Sequence, residues 1–378
     1  MPVAEALILL PLLAWLWLLA LHGRYWQLAE RLPPFATEPA VWPSVVAIIP
    51  ARNEADVIAE TVARHEAQDY PGDYRVIVVD DRSDDATGDA ARAAAGARTT
   101  IIEAEERPAG WMGKVWAMEQ GLRHLRGQPD QPDWILFTDA DIHHPPDSLR
   151  RLVAHALEDD RDLVSLMVKL KVETFWERLL IPAFVLFFAK LYPFSRVNDP
   201  ENRTAAAAGG CMLVRRETAD AAGLAEGIRG ELIDDCALAR RVREAGSGRI
   251  WLGLTEDVTS ARPYAGLSGV WEMVVRSAYT QLNHSPLLLI GCVIGMLFLY
   301  LAGPAAALAG ETPGWVVWLM IALSFSAALR LYGQPLWMGP LLPLAGLMYT
   351  AMTVDSALRH WRGKGGGWKG RYQAREKA

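Results

Sequence analysis

The sequence has few cysteines and no excess of positive charge. Its 378 residues include three cysteines, Cys211, Cys236 and Cys292, with no Cys-x-x-Cys pair and no histidine beside them at metal-ligand spacing. This pattern excludes a disulfide framework and a zinc site of the usual spacing. The formal net charge is −6. Because nucleic-acid-binding proteins normally concentrate basic residues on one face, nucleic acid is not an expected partner.

A long apolar run lies at the N-terminus. Residues 2–21 are interrupted only by Glu5, and about 20 apolar residues suffice to cross a hydrocarbon core as a helix. Basic residues follow the run, at Arg24 and Arg31, where a cleaved signal peptide would have a small-residue exit. We therefore predict a retained transmembrane helix over residues 1–23, with the following chain in the cytoplasm.

Three further uncharged runs lie near the C-terminus, at residues 286–310, 315–329 and 336–354. They predict a transmembrane region over residues 286–358, followed by a basic tail over residues 359–378. Three full spans would place that tail outside, against the positive-inside rule. Either one run does not span or the rule fails here.

The last of these runs is the one expected to be broken or re-entrant. It contains or adjoins Pro335, Pro340 and Pro343, and each proline removes a backbone donor that lipid cannot replace. A fourth apolar stretch, residues 175–194, includes Glu177, so we predict an amphipathic helix at the membrane interface rather than a span.

The region between, residues 44–285, alternates strand and helix signals. Residues 45–49, 75–79 and 134–138 are apolar and typical of buried parallel strands, and helical segments lie at 54–68 and 86–96. This order predicts an α/β domain with a mostly parallel central sheet. Ligands bind such sheets at the carboxyl ends of the strands.

Polar clusters follow the first two predicted strands. Pro50, Arg52, Asn53 and Glu54 come after the first; they form either an ordinary turn or part of a ligand site. Residues 80–85 contain four aspartates after the second, a concentration of like charge that favours a cationic or donor-rich partner. Two of the four could cap a helix. Asp80 or Asp81 is the candidate acceptor of a hydrogen bond from a pyrimidine imide.

Asp139 and Asp141 end the third predicted strand. In an extended backbone, residues two apart point to one side, and two such carboxylates suit Mg²⁺ or Mn²⁺ that also binds substrate phosphate. His143 and His144 could join the metal. Surface histidines beside prolines are the commoner case.

Three more segments carry candidate site residues. Lys114 precedes a helix and follows glycines, so it can reach a phosphate or simply begin a solvated helix. Gly210 permits close approach of a ligand to the backbone or a tight turn. Asp234 and Asp235 precede a helix over residues 236–244, as caps or as a general base for an acceptor hydroxyl.

The motifs PARNE, VVDDRSDDAT, GWMGK, TDAD and IDDCALARRV occur in this order between the apolar runs. The sequence resembles the family 2 glycosyltransferases with the GT-A fold over roughly residues 45–285, and is similar to the membrane-bound branch with ceramide glucosyltransferases and polysaccharide synthases. The segments RTAAAAGGCMLVRRE and AYTQLNHSPLLL also resemble the hopanoid-biosynthesis-associated glycosyltransferases of bacteria.

The resemblance implies a role for each motif. Residues 50–54 would border the nucleotide, with Asp80 or Asp81 at a base expected to be uracil, and Lys114 would lie near the diphosphate. The resemblance also implies three carboxylate roles: Asp139 and Asp141 bind a divalent cation, Asp141 as the direct ligand, and Asp235 is the general base, with Asp234 replacing the family's glutamate.

One departure stands out. The Gln-x-x-Arg-Trp segment of processive synthases and ceramide glucosyltransferases is replaced by Gln281-Leu282-Asn283-His284-Ser285, without arginine or tryptophan. This disfavours a processive synthase. Gln281 and Arg276 either serve the site or are polar residues on a membrane-proximal helix.

The resemblance thus implies an inverting, metal-dependent glycosyltransferase in the bacterial inner membrane, multi-pass, with a cytoplasmic catalytic domain. It would move a sugar from a UDP-sugar to a lipid or lipid-linked acceptor, in hopanoid biosynthesis if the nearer resemblance holds. A processive polysaccharide synthase and an inert glycosyltransferase-like membrane partner are the alternatives.

Overall fold

The computed structural model describes residues 3–33, 38–368 and 371–372. The remainder of the predicted basic tail, and residues 1–2 of the predicted N-terminal helix, lie outside the described residues.

The strands of the described chain form one eight-stranded sheet and one two-stranded sheet. The large sheet has the order β3-β2-β1-β4-β7-β6-β8-β5. The strands are β1 (Val45–Ala51), β2 (Tyr74–Asp80), β3 (Thr99–Glu103), β4 (Trp134–Thr138), β5 (Ile142–His143), β6 (Leu163–Lys169), β7 (Cys211–Arg215), β8 (Ile250–Ser260), β9 (Gly367–Trp368) and β10 (Arg371–Tyr372).

Helices cover both faces of the large sheet and form the C-terminal region. They are α1 (Val3–Ala20), α2 (Ile58–Glu66), α3 (Thr87–Ala94), α4 (Gly113–Arg126), α5 (Ser148–Glu158), α6 (Phe175–Leu191), α7 (Phe194–Val197), α8 (Arg216–Ala221), α9 (Asp234–Ala245), α10 (Gly266–Gln281), α11 (Pro286–Leu308), α12 (Thr312–Leu331) and α13 (Leu342–Trp361).

The three predicted strands are confirmed as β1, β2 and β4. Every residue of β1 and of β4 is buried, as their continuous apolar runs predict. The first four strands in the sheet are parallel, but β7 pairs antiparallel with both β4 and β6, so the sheet as a whole is mixed. Strand β3, which is only half-buried, was not predicted from the sequence.

The register of the parallel strands places their polar clusters at one edge. Ala51 at the end of β1 pairs with Asp80 at the end of β2, and Ile48 pairs with Phe137 near the end of β4. The loops after these three strands therefore leave the sheet side by side.

Helix α6 contains the stretch predicted to lie at a membrane interface. Thr174 and Glu177 form a capping box at its start, and Glu177 also accepts a hydrogen bond from Gly266 N at 2.7 Å, which joins the start of α6 to the start of α10. Ten of its 17 residues are buried. Tyr349 in α13 donates to the Leu180 carbonyl at 2.9 Å, so α6 lies between the α/β domain and the C-terminal helices.

Three stretches in the described chain are long and apolar enough to cross a membrane: Pro286–Leu308, Thr312–Leu331 and Leu336–Trp361. The predicted N-terminal anchor forms α1, whose Trp15 indole donates to the Leu299 carbonyl in α11 at 2.8 Å. Helix α1 thus packs with the C-terminal helices.

The third stretch is interrupted where the prolines are. A 3-10 turn, Leu336–Leu341, precedes α13. The Trp318 indole in α12 donates to the Pro340 carbonyl at 3.0 Å, so the chain folds back along α12 before α13 begins. Arg359, in the last turn of α13, pairs with Glu272 of α10 at 2.7 Å. Helix α13 therefore ends on the side of the α/β domain.

Candidate functional site

A cavity of about 310 Å³ lies at the carboxyl ends of the parallel strands. Its walls come from the loops after β1, β4 and β8, the start of α4, the loop before α9 and one residue of α10. The lining residues are Pro50, Glu54, Met112, Gly113, Lys114, Val115, Asp139, Ala140, Asp141, Glu231, Leu232, Asp234, Arg262, Tyr264 and Arg276.

Lys114 lies at the centre of the acidic groups of this cavity. It is the second residue of α4, as the glycine-flanked segment predicts. Its ammonium nitrogen lies 2.7 Å from Asp139 Oδ1 and 3.3 Å from Asp234 Oδ2. Burial alone would lower the pKa of Lys114, but Asp139, Asp234 and Asp235 reverse this and raise it above its usual value. Lys114 is therefore a permanent cation.

Asp235 lies beside this cluster, in the first turn of α9. Its Oδ2 accepts a hydrogen bond from Gly209 N at 2.9 Å and its Oδ1 from Cys236 N at 2.7 Å. These bonds fix the carboxyl group. Burial, with the neighbouring Asp234, raises the pKa of Asp235 to about 6, although Lys114 opposes the shift. Asp234, rather than Asp235, is among the residues that line the cavity.

Asp139 and Asp141 both line the cavity, as their spacing predicts. Asp139 is bonded to Lys114, and Asp141 Oδ2 accepts a hydrogen bond from Ser260 Oγ at 3.0 Å. No group of three or more His, Cys, Asp or Glu side chains suited to a metal occurs among the described residues. Two carboxylates do fit Mg²⁺ or Mn²⁺ when substrate phosphate completes the coordination, which is how such ions are commonly held.

The segments after β1 and β2 are tied to each other. Arg52 is buried and donates to the carbonyls of Asp81 and Arg82, at 2.5 and 2.6 Å. The Asn53 side chain accepts from Asp84 N at 2.9 Å. Asn53 has a φ of 52°, in the left-handed region that asparagine tolerates. Arg52 and Asn53 therefore hold the segments after β1 and β2 together without lining the cavity themselves.

The two candidate base-contacting aspartates have different surroundings. Asp80 Oδ1 accepts hydrogen bonds from the backbone and hydroxyl of Ser83, at 3.0 and 2.5 Å. Asp81 is fully buried, and its N–H donates to the Ala51 carbonyl at 2.8 Å. Neither lines the cavity.

Three lining residues with polar side chains were not identified from the sequence as site residues: Arg262, Tyr264 and Glu231. Arg262 pairs with Glu54 and, at 3.2 Å, with Asp56, so it joins the loop after β8 to the loop after β1. These partners are about 200 residues apart in the sequence and share no motif. The sequence signal that could have identified Arg262 and Tyr264 is a polar segment directly after a strand.

Gly210 and Gln281 also lie outside the cavity lining. A Cβ on Gly210 would meet Val168 at 3.0 Å, whereas one on Gly209 would meet Lys114 Nζ at 3.0 Å, so the glycine beside the site is Gly209. Gln281 donates to Tyr192 at 2.6 Å.

The two histidines also lie outside the cavity lining. His144 is buried and hydrogen-bonded to Thr138 Oγ1 at 2.9 Å, so the expectation of a surface histidine is wrong for it. His143 lies 3.6 Å from Glu60, and burial lowers its pKa.

Comparison with known proteins agrees with the predicted fold. Residues 46–222 match the family model described as Glycosyl transferase family 2. The whole chain is similar in structure to a mannosyltransferase of Pyrobaculum calidifontis solved with GDP-Man and Mn²⁺, with a TM-score of 0.59 and 22% identity over 94% of this chain and 98% of that one. At this identity the likeness shows the fold.

Two curated relatives match shorter segments. Both are undecaprenyl-phosphate 4-deoxy-4-formamido-L-arabinose transferases. The one from Edwardsiella ictaluri is 29% identical over 35% of this chain and 40% of its own length. The one from Pseudomonas fluorescens is 32% identical over 29% of this chain and 31% of its own length. The chain thus spans less than half the length of these relatives. The chain has the GT-A fold, and the part of it that matches the family 2 model is residues 46–222.

Proposed function

We propose that the protein transfers a single sugar from a nucleotide-sugar donor, a UDP-sugar, to a lipid-phosphate acceptor at the cytoplasmic face of the bacterial inner membrane. The observation that carries this proposal is the convergence of Asp139, Asp234 and Asp235, from the ends of separate elements, on Lys114. Lys114, Asp139 and Asp234 line a cavity that α10 connects to the apolar helices, and Asp235 directly follows Asp234 in α9.

The donor side of the proposal rests on charge. The cavity is lined by Glu54, Asp139, Asp141, Glu231 and Asp234 against only three cations, Lys114, Arg262 and Arg276. A nucleoside diphosphate is itself an anion, so its binding here requires added positive charge. Asp139 and Asp141 would hold Mg²⁺ or Mn²⁺, which would supply charge stabilisation to the departing diphosphate. Lys114 is placed to contact the same phosphates.

The reaction we propose is a single displacement with inversion. An acceptor oxygen forms a bond to the anomeric carbon, and the bond from that carbon to the diphosphate oxygen breaks. The nucleoside diphosphate leaves with the bonding electrons, and the acceptor's proton passes to Asp235. A pKa near 6 makes Asp235 mostly ionised at neutral pH and more basic than an ordinary aspartate, as a general base requires.

The acceptor side rests on the apolar helices and on the relatives. Three candidate membrane helices adjoin the catalytic domain, which suits an acceptor that resides in a bilayer. Both curated relatives are named for undecaprenyl phosphate, a lipid phosphate. A hopanoid alcohol is the other acceptor that the sequence resemblance implies, and the test includes it.

The test is sugar transfer by the full-length protein in detergent micelles. Nucleoside diphosphate release is measured for UDP- and GDP-sugars, with and without Mn²⁺, with a C20 isoprenyl phosphate or a hydroxylated hopanoid as acceptor. We expect Mn²⁺-dependent release that requires the isoprenyl phosphate and is lost in Asp235→Asn. Full activity in Asp235→Asn together with loss in Asp234→Asn would assign the base to Asp234 instead. Absence of both release and nucleotide binding would contradict the proposal.

A further inference from the structure

A second cavity, of about 610 Å³, lies beside the first. Tyr264 and Arg276 line both cavities. The other walls of the second cavity come from α10, the end of α13 and the residues that follow it. Its lining includes Glu272 and Asp355 together with four cations: Arg276, Arg359, Arg362 and Lys364. We call it the basic cavity.

The charges of the basic cavity are not balanced. Arg359 pairs with both carboxylates, at 2.7 Å from Glu272 and 3.0 Å from Asp355. The Trp271 indole also donates to Asp355 at 2.8 Å. Both acids are therefore engaged. Throughout the described chain, no ion pair within 4.0 Å involves the other three cations, Arg276, Arg362 and Lys364.

The basic cavity lies at the end of the apolar helices that faces the catalytic domain. Helix α10, which forms one wall, is followed by α11 within five residues. The wall from α13 is formed by its C-terminal end, where the third apolar stretch also ends. Trp361, next to this wall, is exposed, as expected for an aromatic residue at a membrane interface. A lipid with its chain in the bilayer would therefore bring its polar end to this depth.

We propose that the basic cavity binds the phosphate of the lipid acceptor, with Arg362 and Lys364 as its main contacts. This inference rests on the proposed function, because it assigns the acceptor's charged group to a place. Unpaired arginine and lysine side chains form strong, charge-assisted hydrogen bonds to phosphate oxygens. Arg276 lines both cavities, at the common wall where the acceptor phosphate would meet the donor. No motif of the sequence includes Arg362 or Lys364.

The experiment measures lipid binding separately from transfer. Full-length protein in detergent micelles is titrated with a C20 isoprenyl monophosphate and with the matching C20 isoprenol. We expect the wild type to bind the phosphate about tenfold or more tightly than the alcohol, the effect of at least one charge-assisted hydrogen bond. In the double variant Arg362→Gln, Lys364→Gln, this preference should disappear, and in the charge reversal Arg362→Glu, Lys364→Glu, it should invert.

The matched control is Arg330→Gln, which removes an exposed cation from the last turn of α12 and lines neither cavity. It should retain the preference, and all variants should bind nucleoside diphosphate with Mn²⁺ as the wild type does. A preference that persists in the double variant would overturn the inference. So would displacement of the lipid phosphate by inorganic phosphate at equal concentration, which would indicate a free-phosphate site. If the wild type itself does not bind nucleoside diphosphate, the proposed function is contradicted instead.

Discussion

At the scale of single residues, the chemistry centres on Lys114 and the carboxylates around it. The ammonium group pairs with Asp139 and Asp234 directly and opposes the rise that burial causes in the pKa of Asp235. Two backbone N–H groups then orient Asp235. One lysine thus links the predicted metal-binding side of the cavity to the predicted base.

The pH dependence of transfer follows from the pKa of Asp235. A general base must be ionised, and a pKa of about 6 means that the active form is lost as the pH falls through that value. We expect the acid limb of kcat/KM near pH 6, and a loss of about 100-fold to 10,000-fold in Asp235→Asn at neutral pH. The surface variant Asp220→Asn should behave as the wild type. An acid limb near pH 4 would contradict this assignment.

Removing the lysine tests the cluster itself. Lys114→Met would leave Asp139, Asp234 and Asp235 close together without a cation. The buried carboxylates then lose their cationic partner, so we expect a loss of about 3–5 kcal/mol in the free energy of unfolding. This loss is measured as a lower Tm. Lys169→Met, which removes a more exposed lysine paired with Glu256, is the control. Equal Tm values for the two variants would count against a central role for Lys114.

The sequence predicted the residues that follow strands but not those that close the cavity. Asp139, Asp141 and Lys114 were identified because each lies at a strand end or helix start, where the ligand edge of a parallel sheet must be. Arg262 and Tyr264 were not, because their contacts with this edge depend on the path of a distant loop.

At the scale of elements, glycines set how closely the apolar helices pack. A Cβ on Gly314 in α12 would lie 2.3 Å from Ala307 N, and one on Gly303 in α11 would lie 2.4 Å from Val317 Cγ1. Small residues at such positions let helix backbones approach each other in membranes. The α11 and α12 pair therefore depends on these two positions.

Alanine substitutions distinguish packed from open glycines. Gly314→Ala forces α11 and α12 apart, and overpacking of this kind costs about 1–3 kcal/mol. Gly295→Ala in α11 is the matched control, since nothing lies within 4 Å of a Cβ there. We expect a lower Tm in detergent for the first variant and no decrease for the second. A decrease of the same size in both would mean that the helices pack differently.

Strand prediction succeeded for β1, β2 and β4, whose continuous apolar runs fix them as buried strands. It missed the half-buried edge strand β3 and also β6 and β7, which are largely buried. The antiparallel insertion of β7 depends on which partner strands are available, and this is a property of the assembled sheet.

At the scale of the whole molecule, the fold-back before α13 determines on which side of the molecule the chain leaves α13 and the basic tail begins. Helix α12 ends beside the catalytic domain, where Leu170 N donates to Tyr332 Oη at 3.4 Å. Helix α13 begins part-way along α12 and also ends beside that domain. The described start of the tail, residues 359–368, therefore lies on the same side as the α/β domain, which is the arrangement that the positive-inside rule favours if these helices span a membrane.

Labelling from one side of the membrane tests this topology. In intact spheroplasts, a cysteine at Glu311, between α11 and α12, should react with an impermeant maleimide. A cysteine added after Ala378 should react only after permeabilisation. Cys292 is replaced by serine in both, because Cys211 and Cys236 are buried while Cys292 is partly exposed. Labelling of the added C-terminal cysteine in intact spheroplasts would contradict the fold-back.

The most direct test of the proposed function is the lipid product formed over many turnovers with the sugar donor in excess. Full-length protein is mixed with a radiolabelled UDP-sugar, Mn²⁺ and a C20 isoprenyl phosphate. The mass of the lipid product is measured by mass spectrometry for the wild type and for Asp235→Asn. The account predicts one sugar on each lipid, made by the wild type and not by the variant. A polymeric product, or equal product from Asp235→Asn, would contradict it.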